Sequence, residues 1–312
     1  MAKNDFSAAR PPGQAYAYPL LAVLCWTGNT LVTKAAAGVI APATIAFYRW
    51  LGAGLVLTPF VARAVWQRRA LVRAHWPKLA LLGALGMAVY QGLAYEAART
   101  TSVVNMGIIV ALMPMFSSLL SAGLAYEPLT ANRVAGALLA LVGLVVLAAR
   151  GHWSALGSGA LHPGDGLMVL AVGANALYGV LLRRWALPLS TWQQLYVQIG
   201  FGTLLLLPFW LLAPASPLTA HNVPLVGYAA FAGSLGAPYC WLRGVKLLGP
   251  ARASLFMNLL PVWVALAAWG LLQQPLHSFH ALGGGLVLTG VWWGQRAASA
   301  PTPQSRPVRS RA

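Results

Sequence analysis

The chain has 312 residues, of which 59% are hydrophobic and 8% are charged, and its formal net charge is +17. Soluble proteins usually carry about 25% charged residues, so the composition excludes an ordinary soluble domain and predicts an all-α integral membrane protein. The basic residues cluster between the apolar runs, as is typical of cytoplasmic loops, which argues against nucleic-acid binding. Cys25 and Cys240 lie inside apolar runs, so neither a disulfide framework nor a cysteine metal site is expected.

Apolar runs of about 20 residues predict ten transmembrane helices along the chain. The predicted spans are approximately 17–37, 42–62, 78–98, 102–124, 130–149, 165–185, 191–212, 224–244, 250–272 and 277–296. The intervening loops are too short for a separate soluble domain. The first residues are polar and the first apolar run continues as a full span, so a cleavable signal peptide is not expected.

The distribution of lysine and arginine predicts the orientation of these spans. With the N-terminus in the cytoplasm, every basic residue except Lys34, Arg49, Arg99 and Arg150 falls on the cytoplasmic side. By the positive-inside rule, both termini are expected to be cytoplasmic. The predicted location is the bacterial inner (plasma) membrane, with the lipid bilayer as the surrounding medium.

The second half of the chain repeats the first. A shift of 147 residues places Pro114 on Pro261 and Gly136 on Gly283, and a shift of 149 residues places Lys34 on Arg183. We therefore predict two five-helix repeats, residues 1–150 and 151–312, the second of which ends in a basic tail. Because five is odd, the repeats are expected to be inverted in the membrane, as in many secondary transporters with a site near the midplane. A purely structural duplication is the alternative.

The residues around the repeat resemble a known family. "SVVNMGIIVALMPMFSSLLSAGLAYEPLTANRVAGALLALVGLVVL" resembles the signature of EamA-type transporters of the drug/metabolite transporter superfamily: a mid-helix Pro, a Glu followed by a hydrophobic residue, and a Gly in the next helix. "RASLFMNLLPVWVALAAWGLLQQPL" is similar to its second copy, with Gln274 at the usual Glu position, and "FYRWLGAG" is similar to the family's second helix. The aromatic-rich spans are most similar to the aromatic amino-acid exporter branch.

The resemblance implies a ten-helix bundle around a central cavity lined mainly by helices 1, 3, 4, 6, 8 and 9. It also implies export of amino acids or other small metabolites. Glu127, the marker of the first copy, is interpreted as a residue that ends a helix and orders a tight loop, rather than as a buried functional acid. Pro114 and Pro261 are predicted to be hinges, because each removes a backbone hydrogen bond from its helix.

Three charged residues lie within the predicted spans, near the outer mouth. Glu96 is a functional candidate, since an intramembrane carboxylate is costly unless it is paired or faces water. The alternative is an interfacial pair with Arg99 or Lys34. Lys34 and Arg49 are candidates to attract a substrate carboxylate, but snorkelling to the interface or a structural pair with Glu96 is the favoured interpretation.

Polar and aromatic residues at mid-span depth form the predicted substrate-binding set. Amphipathic aromatic side chains can enclose an apolar substrate and orient it through their polar tips. For each residue, a lipid-facing or helix-packing role is the alternative, and about half of the set is expected to touch the cavity. The set is Trp26, Asn29, Tyr90, Gln91, Tyr95, Met106, Asn175, Tyr178, Tyr239, Trp241, Asn258 and Trp263.

These features predict a secondary-type exporter of small metabolites that works by alternating access around a largely uncharged cavity. Amino acids, in particular aromatic or other neutral ones, are the favoured substrates. The sequence lacks zinc-protease, nucleophile-elbow and phosphate-binding-loop motifs, so no enzymatic activity, cofactor, metal or obligate protein partner is expected. The alternatives are a transporter of lipids or nucleotide-linked metabolites, and a membrane enzyme or scaffold that does not transport.

Overall fold

The computed structural model describes residues 13–124, 130–150, 162–248 and 250–296, and within them every regular element is helical. A 3₁₀ turn at Gly13–Tyr16 precedes the first helix. The helices are α1 (Ala17–Ala35), α2 (Pro42–Gln67), α3 (Arg69–Gly83, Ala84–Val89 and Tyr90–Ala97), α4 (Val103–Val110 and Met113–Gly123), α5 (Ala131–Ala149), α6 (Pro163–Trp185), α7 (Thr191–Leu212), α8 (Val223–Tyr228, Ala229–Gly236 and Ala237–Leu248), α9 (Pro250–Met257 and Leu260–Leu272) and α10 (Ser278–Arg296). Glu127 and the turn that follows it lie outside the described residues.

Five of these helices, α2, α4, α5, α6 and α7, are long and apolar enough to cross a bilayer. The second part of α9 is a shorter apolar helix. The main departure from the predicted spans is at α3, which begins at Arg69 instead of near residue 78. The residues added there include Ala, Leu and Arg, which favour helix, so the helix continues beyond the apolar stretch.

Side-chain caps fix where three of the helices begin. The hydroxyl oxygens of Ser102, Thr130 and Ser190 accept hydrogen bonds from backbone N–H groups in the first turns of α4, α5 and α7. At α7, Gln193 completes a capping box by accepting from the Ser190 N–H at 2.9 Å. These bonds satisfy backbone donors that a helix N-terminus would otherwise leave unpaired.

Irregular turns recur at related places in the two halves. The π-helical turns are Ala84–Val89 in α3 and Ala229–Gly236 in α8. α4 is broken after Val110 and α9 after Met257, and the helix resumes with Pro114 or Pro261 in its first turn. Proline is tolerated in the first turn, because its missing N–H has no intrahelical partner there.

The helix ends form two opposite faces of the bundle. At one end, Gln193 donates to the Ala64 carbonyl oxygen at 3.3 Å, and the Lys78 ammonium lies 5.7 Å from the Trp185 ring centroid. We call this the basic end; its charged residues are Arg63, Arg68, Arg69, Arg73, Lys78, Arg183, Arg184, Arg243 and Lys246. At the opposite end, Gln274 accepts from the first N–H of α4, on Val103, at 3.3 Å.

Candidate functional site

A cavity of about 390 Å³ lies between α1, α2, α3, α6, α7 and α8. It reaches the basic end, where Thr191 and Leu242 form an exposed part of its rim. Its deep side is formed by Arg49, which lies about 10 Å along α2 from the helix start at the opposite end. The helices that line it differ from those the resemblance implied: α2 and α7 contribute, whereas no described side chain of α4 or α9 does.

Arg49 is 2% exposed and is held by uncharged groups from three other helices. Its Nε donates to the Ser234 hydroxyl at 2.7 Å. Its Nη1 donates to the Asn29 Oδ1 at 3.0 Å, the Gln91 Oε1 at 2.9 Å and the Tyr95 hydroxyl at 3.3 Å. The guanidinium carbon also lies 5.1 Å from the centroid of the adjacent Trp50 ring. The guanidinium is therefore fixed in position, with its Nε and Nη1 both hydrogen-bonded.

The π-helical turns and a glycine bring these acceptors to Arg49. The turn in α8 contains Ser234, whose hydroxyl donates to the Ala229 carbonyl oxygen at 2.8 Å and so turns its lone pairs to Arg49. A Cβ on Gly233 would lie 2.5 Å from the Asn29 Oδ1, so only glycine leaves room for that amide. The turn in α3 immediately precedes Gln91. π-Helical turns often mark functional sites.

No acidic side chain among the described residues pairs with Arg49. Glu96 binds Arg99 at 2.7 Å near the surface. Asp165 is buried and accepts hydrogen bonds from Thr101 and from Asn105. A buried guanidinium without a counterion is costly, and ionisable groups at such depth in membrane proteins usually serve binding or transport. The deep side of the cavity is therefore positively charged.

The structure places the three charged residues near the outer mouth in different environments and corrects the interpretation of Arg49. Arg49 neither snorkels nor pairs with Glu96, since it is buried at the cavity, which is thus not uncharged. Glu96 instead forms the interfacial pair with Arg99, both side chains being about half exposed. The Lys34 ammonium donates to the carbonyl oxygens of Ala98 and Thr101, at 2.6 and 2.7 Å, just beyond the end of α3. It thereby satisfies backbone acceptors beyond a helix C-terminus.

The predicted substrate-binding residues divide into three groups. Half of them line the cavity, namely Trp26, Tyr90, Gln91, Asn175, Tyr178 and Trp241. Asn29 and Tyr95 lie behind it and bind Arg49. The other four are not among the described residues that line it: Met106 is buried in the apolar core, Asn258 and Trp263 are exposed, and the exposed Tyr239 stacks on the lining residue Trp192 with ring centroids 6.4 Å apart.

Several lining residues were not anticipated from the sequence. They are Trp50, Trp192, Gln194, Gln198 and Ser234. The Gln198 amide oxygen accepts from the Tyr178 hydroxyl at 3.1 Å, which fixes both side chains. The polar run "TWQQLYVQ" at the start of a strongly apolar span was a usable signal, because buried amides in a membrane helix need partners. Ser234 had no comparable signal, since isolated serines are common in such helices.

Two tryptophans provide a matched test of this placement. Trp241 lines the cavity with its ring centroid 5.7 Å from that of Trp26, whereas Trp263 is 38% exposed outside it. We expect Trp241→Ala to weaken binding of an aromatic probe about fivefold, since an aromatic contact contributes about 1 kcal/mol beyond its buried area. Trp263→Ala should leave binding unchanged. Titration calorimetry on both purified variants checks this, and equal effects would contradict the assignment.

The fold and the cavity together define a multi-pass membrane transporter. The model of the EamA-like transporter family matches residues 13–149 and again residues 162–293. The chain therefore belongs to the EamA-like transporter family.

Individual relatives agree with this assignment. The chain is 26% identical over 281 residues to the uncharacterised transporter YyaM of Bacillus subtilis, covering 87% of this chain and 90% of that protein. It is 25% identical to an uncharacterised transporter of Archaeoglobus fulgidus, covering 87% and 94%. It is 27% identical to protein PecM of Dickeya dadantii, covering 66% and 69%. A crystal structure with 23% identity has the same fold, with a TM-score of 0.59 over 94% of this chain and 99% of that one.

Proposed function

We propose that this transporter exports small metabolites that carry a carboxylate, with amino acids as the first class to test. The observation that carries the proposal is the buried guanidinium of Arg49 at the deep side of the cavity, fixed by neutral acceptors. Arginine is suited to carboxylates because its permanent positive charge strengthens each N–H···O hydrogen bond that it donates. A guanidinium that is already held in place loses little conformational entropy when it binds.

The size and walls of the cavity support a small, partly apolar substrate. Its volume of about 390 Å³ is within the range typical of small-molecule sites. Six aromatic side chains line it: Trp26, Trp50, Tyr90, Tyr178, Trp192 and Trp241. Such walls favour aromatic or other apolar side chains on the substrate.

The arrangement of the helices supports alternating access by two inverted repeats. The cavity lies between α1, α2 and α3 of the first half and their predicted counterparts α6, α7 and α8. The paired π-helical turns and the paired breaks before Pro114 and Pro261 are points at which helices can bend. If the basic end is cytoplasmic, as the positive-inside rule favours, the structure is an inward-facing state and both termini are in the cytoplasm of the producing bacterium.

The alternatives agree less well with this cavity. A lipid phosphate or a nucleotide-linked metabolite would need several cations, whereas Arg49 is the one charged side chain among the described residues that line the cavity. A scaffold or a closely packed membrane protein does not need a cavity that contains a buried cation and reaches one face of the bundle. Export of a small carboxylate uses both the cavity and its cation.

Counterflow in proteoliposomes tests the proposal. Vesicles preloaded with an unlabelled compound should accumulate the same labelled compound when that compound is a substrate, and protein-free vesicles should not. The panel should contain aromatic, aliphatic and acidic amino acids and their deaminated carboxylates. If folded protein accumulates none of them, the proposed substrate class is wrong.

A further inference from the structure

Building on the proposed function, we infer that the cavity selects net-anionic monocarboxylates with an aromatic or apolar body over zwitterionic amino acids with the same side chain. The ranking follows from the polar atoms that remain unpaired around Arg49. Those atoms are donors on the deep side of the cavity, where no carboxylate of the described residues lies to receive an ammonium group.

The Arg49 guanidinium has one unused nitrogen, Nη2. Its Nε and Nη1 are hydrogen-bonded to Ser234, Asn29, Gln91 and Tyr95, whereas its Nη2 has no acceptor among the described residues. Arg49 itself lines the cavity. Two N–H donors are thus available for an incoming oxygen, and the four neighbours prevent the side chain from turning away.

The guanidinium also determines which way the neighbouring amides face. Arginine offers only donors, so Gln91 must turn its carbonyl oxygen toward Arg49, as the 2.9 Å bond shows. Its amide nitrogen is left as a donor, and Gln91 lines the cavity. The amide nitrogen of Gln198 is likewise left as a donor, because its carbonyl oxygen accepts from the Tyr178 hydroxyl. The unpaired groups near Arg49 are therefore N–H groups, which bind anions.

Acceptors for a substrate ammonium are few and uncharged. Asn175 uses its amide nitrogen toward the Met113 sulfur at 3.4 Å, which leaves its oxygen unpaired, and the buried oxygen of Gln194 is also unpaired. No Asp or Glu is among the described residues that line the cavity. In an α-amino acid, the ammonium is attached to the carbon next to the carboxylate, so it must sit beside the same guanidinium. Like charges at that separation repel, and the ammonium loses its hydration without a counterion.

A charge series of similar compounds tests the inference. The probes are 3-phenylpropanoate, phenylalanine and 2-phenylethylamine, which share a phenyl ring and a two-carbon linker but are anionic, zwitterionic and cationic. Titration calorimetry of the full chain in nanodiscs at pH 7 should give about tenfold tighter binding for the anion than for phenylalanine. The amine should not bind measurably.

Gln91→Glu supplies a variant of nearly the same shape that places a carboxylate against Arg49. It should weaken 3-phenylpropanoate binding about tenfold or more and improve the relative binding of phenylalanine. The inference is overturned if the wild-type protein binds phenylalanine as tightly as 3-phenylpropanoate. It is also overturned if Gln91→Glu leaves the ratio of the two dissociation constants unchanged. The proposed function still stands in those cases if either carboxylate is transported. If neither is bound or transported, both proposals fail.

Discussion

Replacing Arg49 by glutamine is expected to lower the affinity for a carboxylate substrate about a hundredfold. The substitution removes the positive charge together with the charge-assisted hydrogen bonds that Nη2 can donate, each of which contributes about 1.5 kcal/mol or more. It also leaves the acceptors on Asn29, Gln91 and Ser234 facing an amide that can satisfy only part of them. The dissociation constant of the best substrate from the counterflow panel, measured by titration calorimetry, checks the expectation.

Arg49→Lys distinguishes the contribution of the positive charge to binding from that of the planar guanidinium. Lysine keeps the positive charge but lacks the planar fork, so binding should be intermediate, about tenfold weaker than in the wild-type protein. Arg63→Gln is the matched control, because Arg63 lies on the same helix but is exposed at the basic end. The Arg63→Gln protein should bind the substrate with wild-type affinity. A folded Arg49→Gln protein with wild-type affinity would show that Arg49 acts only as a link between helices.

Much of the architecture could be predicted from the sequence because it depends on local composition. A run of about 20 apolar residues must form a helix in a bilayer, where the backbone has no other way to satisfy its hydrogen bonds. The predicted span 191–212 therefore coincides with α7, and 130–149 differs from α5 by one residue. The basic residues that extend α2 and α3 beyond the predicted spans carry no apolar signal, so those helix ends were predicted less accurately.

The site was harder to predict because the helices are apolar on every side. In a soluble helix, the polar face shows which side is buried; in α9 that contrast is missing, so Trp263 could be assigned to the cavity although it lies outside it. Arg49 was placed near the outer mouth for a related reason. Its environment is formed by Asn29, Gln91 and Ser234, which are far apart in the sequence, and two of them lie in or just after a π-helical turn. No sequence period indicates such turns.

Replacing Gly136 by valine is expected to lower the free energy of unfolding by about 3 kcal/mol, at the upper end of the range for overpacking. Gly136 in α5 lies directly against α10: a Cβ there would meet the Gly290 carbonyl oxygen and lie 2.6 Å from the Gly294 amide nitrogen. The contact recurs about two turns further along α5, where a Cβ on Gly143 would lie 2.8 Å from the Val287 nitrogen. Glycines of this kind let membrane helices approach backbone to backbone, so valine forces the two helices apart.

The same substitution at Gly285, on α10, isolates the effect of that contact. No atom lies within 4 Å of a Cβ built there, so Gly285→Val should change stability by less than about 1 kcal/mol. Unfolding in SDS, followed by tryptophan fluorescence, compares the two variants. Neither α5 nor α10 lines the cavity, so the Gly136→Val protein that remains folded should bind substrate with normal affinity. Loss of affinity without loss of stability would instead show that α5 and α10 take part in substrate binding, because a helix pair that only supports the bundle can lower affinity only by destabilising the fold.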